Sequence, residues 1–171
     1  LIEGYTSKKA NFISDRIAEG GLKIFAECIP AIKALDFNYE IREKLILMST
    51  MAGMVIAQAG TSLPHACGYM PTYEKGIPHG RANAIFTRAY LELFPDQTKT
   101  NTILQILGFE DLEEFNNFLK SVLEEREDFT EADVERYTDA LMANPGKLAL
   151  HPHPLTRGEV YEMYKKSLLL Y

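Results

Sequence analysis

The chain has 171 residues, 46% of them hydrophobic, enough apolar material for one domain or for a piece of a larger protein. A net charge of −6, from 24 acidic against 18 basic residues, argues against a nucleic-acid surface, which needs a clustered basic face. Two cysteines, Cys28 and Cys67, make no disulfide framework and fit a reducing, cytoplasmic setting.

In chain order, the sequence begins at Leu1, without methionine, in what reads as the middle of a helix, so a piece of a longer protein is expected. Phe12, Ile13, Ile17, Ile24 and Cys28 lay out one apolar helical face, which Pro30 is expected to break or kink. Gly20-Gly21, inside that pattern, reads as a place of close helix packing. After an Asn38 cap, Ile41, Leu45, Met48, Ala52, Val55 and Ala59 mark a second helix. Its stretch Leu45 to Ala59 carries no charge, and at 15 residues it is too short to span a bilayer. It is therefore predicted to be a buried central helix with the others packed around it.

Pro78 to Leu93 reads as one helix ending before Pro95, and Thr98 to Leu107 as a short helix stopped by Gly108. Leu112, Phe115, Leu119 and Val122 mark the next. Thr130 to Asp133 forms a capping-box signature ahead of Val134, Tyr137 and Leu141. Asn144-Pro145-Gly146 ends that helix, and Val160, Met163, Tyr164, Ser167 and Tyr171 mark the last. No stretch alternates with period two, so the fold class is all-α, with seven or eight helices. No βαβ pattern and no GxGxxG loop is present, so these residues cannot supply a dinucleotide fold. Glu3, Asp15, Glu40 and Glu74 read as helix-end or solvated charges, and the acidic run Glu124 to Asp128 as a solvated face.

The chemistry concentrates in Ser62 to Ala84, SLPHACGYMPTYEKGIPHGRANA. His65 and His79 each sit at the edge of a predicted helix, with Pro64 and Pro78 suited to first turns. A turn at Tyr73 to Gly76 would fold the second helix back and aim both imidazoles into one pocket. Neutral imidazole is a ligand for Zn or Fe(II). On spacing alone, two helix-end histidines satisfied by backbone carbonyls is the better reading, because the pair is not a zinc signature such as HExxH. A reactive metal also needs at least three protein ligands and an open position. His151 and His153, in the Pro-rich HPHP stretch, read as loop histidines. Cys67, two residues past His65, points away from it on a helix and reads as a buried structural thiol.

The pattern His65-x13-His79-Gly80-x-Ala82-Asn83-Ala84 resembles the iron-containing alcohol dehydrogenase family. LIEGYTS at the start, MAGMVIAQAG before the histidines and HPHPLTRGEVYEMY near the end are similar to other parts of that family. The resemblance covers nearly the whole chain. It implies that residues 1–171 form the C-terminal helical domain of a two-domain, dehydroquinate synthase-like fold. An N-terminal α/β domain, outside this chain, would bind NAD or NADP. The metal, Fe(II) or Zn, would be held by an Asp and a His just before Leu1 together with His65 and His79. Tyr69 stands where many members have another histidine near the reacting carbon, and Ile56 where an aromatic is common. Both are implied to wall the substrate pocket, with Tyr69 the one implied catalytic contributor, beside the alternative of an ordinary helix tyrosine that only packs its ring.

The implied activity is NAD(P)-linked interconversion of a small alcohol and an aldehyde or ketone, by a full-length homodimer. The chain alone is expected to be inactive, to bind NAD weakly at best, and to hold no metal or only an adventitious ion. Two alternatives stand beside it: a non-catalytic helical interaction module, and a metal-dependent lyase of the dehydroquinate synthase-like group. No nucleic acid or membrane partner is expected.

Overall fold

A computed structural model describes residues 1–123 and 127–170. Its elements are all helices: α1 (Ile2–Thr6), α2 (Phe12–Lys33), α3 (Tyr39–Ala59), α4 (Leu63–Lys75), α5 (His79–Ile85), α6 (Thr87–Glu92), α7 (Thr98–Leu107), α8 (Leu112–Leu123), α9 (Glu131–Met142), α10 (Pro145–Leu148) and α11 (Arg157–Leu168). The all-α class is as expected, and no strand occurs among the described residues. The helix count exceeds seven or eight because the predicted Pro78 to Leu93 helix is interrupted at Phe86, and α1 and α10 are single-turn pieces. No single helix among the described residues is long and apolar enough to cross a membrane.

The chain forms two compact units. The first comprises residues 1–60 and 96–122, the second residues 61–95 and 123–171. In the first, α2 and α3 are the principal pair. Gly20 and Gly21 lie against Met51 and Leu1, so the expected close approach is real. Gly4 similarly leaves room for Val55, where a Cβ would collide with the valine side chain. Lys44 bridges Glu27 on α2 and Glu40 on its own helix. Asp15 is a helix-end charge, as expected, in the first turn of α2, and it receives the Lys99 ammonium at 3.1 Å.

Three expectations are corrected in this unit. The buried stripe of α2 is Ser14, Ala18, Gly21, Leu22, Cys28 and Ile29, while Phe12 and Ile13 are exposed. Pro30 does not end α2, which runs on to Lys33. And α3 is not a buried central helix: only Val55 and Ala59 are buried, whereas Ile46 and Leu47 are 69% and 51% exposed. The stripe Ile41, Leu45, Met48, Ala52, Val55 and Ala59 is the less exposed face, as its period implies; what sequence hides is that the apolar Ile46, Leu47, Met54 and Ile56 outside that stripe stay uncovered.

The capping signals read from sequence hold. Asn38 accepts from the Ile41 amide. Gly108 closes α7 in the left-handed region at φ 79°, a conformation that favours glycine. In the second unit, Thr130 accepts from the Asp133 amide at 3.2 Å while the Asp133 carboxylate accepts from the Thr130 amide at 3.0 Å. These bonds hold the Asp133 carboxyl below its usual range. Thr130→Ala is expected to lower unfolding free energy by about 1 kcal/mol, seen as a lower melting temperature. An unchanged melting temperature would show that the cap contributes nothing.

The Glu124 to Asp128 run lies partly outside the described residues. Its described member Glu127 is no solvated charge, since Arg81 forks onto its carboxylate. Glu74, a helix-end charge in the last turn of α4, accepts from Arg136 and, at 2.7 Å, from the Tyr137 hydroxyl. Those donors pull its carboxyl below the usual range, and burial with the facing carboxylate pushes Tyr137 up to about 12. The network ties the end of α4 to α9.

Candidate functional site

The second unit brings the two predicted histidines together. His65 lies in the first turn of α4, behind Pro64, and His79 is the first residue of α5, behind Pro78. Between them Gly76 turns the chain at φ 70°, in the left-handed region, so α5 folds back on α4. The His65 and His79 ring centroids lie 5.2 Å apart at an interplanar angle of 76°. Gly68 is what permits this approach, because a Cβ there would collide with the Asn83 side chain.

Tyr69, one helical turn after His65, stacks on His79 with centroids 5.6 Å apart and planes at 19°. It is 44% exposed, so the cluster opens to solvent. On its ring sits the Lys147 ammonium, 4.2 Å from the centroid. Asn83, one turn after His79 on α5, places Nδ2 3.1 Å from His79 Nε2. An amide there can donate Nδ2–H to an unprotonated Nε2 or, turned over, accept at Oδ1 from an Nε2–H. The Asn83 Oδ1 is buried and has no hydrogen-bond partner among the described residues.

As a metal site the donor set fits in kind. Two imidazoles, one oriented by a neighbouring amide, suit Fe(II) or Zn. It is short in number, since among the described residues no three His, Cys, Asp or Glu side chains converge. The pair therefore accounts for two ligands, and a reactive site requires more.

The remaining predicted residues fall as follows. Ile56 lies on α3 in the first unit, 41% exposed. Cys67 is buried, as expected of a structural thiol, and lies beside Tyr164, whose hydroxyl burial pushes far up. His151 corrects its expectation. It is no surface-loop histidine but 3% exposed, packed on Phe94 and Tyr90 with ring centroids 4.9 and 5.9 Å away. The HPHP composition hides this, because burial there is decided by Tyr90 on α6 and Phe94 just after it, far back in the chain.

Sequence reasoning gave no role to Asn83 or Lys147. For Asn83 a signal existed, the one-turn spacing from His79. Lys147 offered none, because only the packing of α10 against α4 brings it to Tyr69.

The sequence model of the Fe-containing alcohol dehydrogenase family, C-terminal, matches residues 1–168. Over 114 residues, 67% of this chain and 28% of the relative, the chain is 31% identical to 1,3-propanediol dehydrogenase of Citrobacter freundii. The solved iron-containing alcohol dehydrogenase of Thermotoga maritima matches with a TM-score of 0.86 and 33% identity, over 98% of this chain and 45% of that one. Sulfoacetaldehyde reductase of Bifidobacterium kashiwanohense, solved in complex with NAD+, matches with a TM-score of 0.79 and 25% identity, over 98% of this chain and 47% of that one. The chain thus spans less than half the length of each of these relatives.

Proposed function

Because the chain belongs to the Fe-containing alcohol dehydrogenase family, we propose that it is the helical, metal-holding half of an oxidoreductase. The reaction is alcohol plus NAD(P)+ giving aldehyde or ketone, NAD(P)H and a proton. The observation that carries this reading is the meeting of His65 and His79 across the α4–α5 turn. The nicotinamide would be bound mainly by an N-terminal domain outside this chain, in a protein that works as a homodimer.

In this reading His65 and His79 each offer one neutral ring nitrogen to Fe(II) or Zn. A metal held there supplies Lewis acidity toward the substrate oxygen. Asn83 holds the His79 ring plane, and would present its Oδ1 rather than Nδ2 to the ring N–H when the other nitrogen is given to a metal. Tyr69 stacks on His79, limits ring rotation and walls the cleft beside it, with its hydroxyl free to meet substrate.

The test is metal analysis of the full-length protein together with NAD(P)H production from short primary alcohols. Stoichiometric Fe or Zn with metal-dependent turnover supports the proposal, and a metal-free protein with normal turnover would sink it. Tyr69→Phe keeps the stacked ring and removes only the hydroxyl. It is expected to retain full metal content and to change kcat/KM about twofold to tenfold, the worth of one neutral hydrogen bond. Loss of metal in that variant would mean that Tyr69 holds the site together rather than meeting substrate.

A further inference from the structure

Like Lys33 and Lys75, Lys147 rests on an aromatic ring; what sets it apart is that its ring, Tyr69, stacks on His79. Lys44, Lys99, Lys166, Arg81, Arg136 and Arg157 each face a carboxylate. Lys147 has no such ion pair among the described residues, and its ammonium rests on the face of Tyr69. Tyr69 in turn stacks on His79, so the ammonium lies no further from the imidazole than the 4.2 and 5.6 Å steps combined.

A cleft of about 140 Å³ adjoins this stack. Its floor is buried and mainly apolar, from Ala66, Leu141, Tyr137 and Tyr164, and Tyr69, Asn144 and Lys147 stand exposed around it. An apolar floor with a cation at its edge favours a ligand with a short hydrocarbon stem and an anionic end. A lysine ammonium is a point charge that accepts a carboxylate, sulfonate or phosphate without demanding one geometry.

We infer that Lys147 is a specificity-determining residue that selects small substrates bearing an anionic group at the end remote from the reacting carbon. The inference rests on the proposed function, because it places the reacting carbon at the His65–His79 pair. The substrate's methylenes run along Tyr69 and its anion meets the Lys147 ammonium and the Asn144 amide. The cation–π contact holds the ammonium near the ring while leaving its donors free.

Two measurements on the full-length protein test this, one of them independent of turnover. In the first, kcat/KM is compared for 4-oxobutanoate and for butanal, which share a four-carbon aldehyde and differ in the terminal carboxylate. The wild type is expected to prefer 4-oxobutanoate. Lys147→Ala should lower its kcat/KM about tenfold through KM, the scale of one hydrogen bond to a charged group. Butanal should change less than about twofold, and Lys147→Arg should restore the preference. In the second, butyrate and butan-1-ol are titrated and their dissociation constants read by NMR. Butyrate binding should weaken about tenfold in Lys147→Ala, with butan-1-ol unaffected.

Equal losses for the charged and uncharged probes would overturn the inference and reduce Lys147 to a packing partner of Tyr69. Butyrate binding insensitive to Lys147→Ala would overturn it too. If neither aldehyde is turned over while butyrate binding still depends on Lys147, the oxidoreductase reading fails and the anion site stands.

Discussion

His79→Ala in the full-length protein is expected to remove the bound metal and to lower kcat/KM by at least about a thousandfold. The magnitude follows from what is lost, since Lewis-acid stabilisation of a developing alkoxide is worth several kcal/mol. His79 is the member of the pair that two neighbours orient, Asn83 through a 3.1 Å contact and Tyr69 through stacking. Alanine discards the ligand and leaves both neighbours without their partner. His79 is exposed at the start of α5, so the fold should survive. An unchanged far-ultraviolet dichroism spectrum would verify this, and metal content read by inductively coupled plasma spectrometry would report the site. A His79→Ala protein with stoichiometric metal and normal turnover would refute the ligand assignment.

The second large effect is on stability and comes from His151. Its ring is buried among Phe94, Tyr90 and His153, and neither ring nitrogen has a hydrogen-bond partner among the described residues. Burial, reinforced by the neighbouring His153 and only partly opposed by Glu159, lowers its pKa from 6.5 to about 4. Below pH 6.5 the unfolded chain takes up a proton that the folded chain refuses. The stabilisation is therefore complete above pH 6.5 and is lost progressively as pH falls toward 4, amounting to about 3 kcal/mol. Melting temperatures of the full-length protein measured across this range should fall more steeply than those of His151→Phe, whose ring suits the same aromatic surroundings and does not titrate. Parallel pH profiles for the two proteins would show that His151 is solvated or already charged.

The parts of the fold legible in sequence were those set by local rules. Asn38, Thr130 and Gly108 cap or close helices because their side chains, or lack of one, settle backbone groups within a turn. The histidine pair was legible for the same reason: prolines and Gly76 define two helix starts and the turn between them. What sequence concealed was long-range. The exposure of α3 escaped because its apolar residues surround the helix. The burial of His151 depends on Tyr90 and Phe94, about 60 residues earlier in the chain. Lys147 reaches Tyr69 only through the packing of α10 on α4. Gly68 carried no local turn signal either, because its role is to admit Asn83 from the following helix.

X-ray absorption at the metal edge of the full-length protein tests the histidine pair as ligands most directly. The predicted spectrum has imidazole outer-shell scattering with nitrogen at about 2.0–2.1 Å from the metal, and that scattering weakens when His65 and His79 are both replaced by alanine. A spectrum without imidazole scattering, or one that the double replacement leaves unchanged, would contradict it.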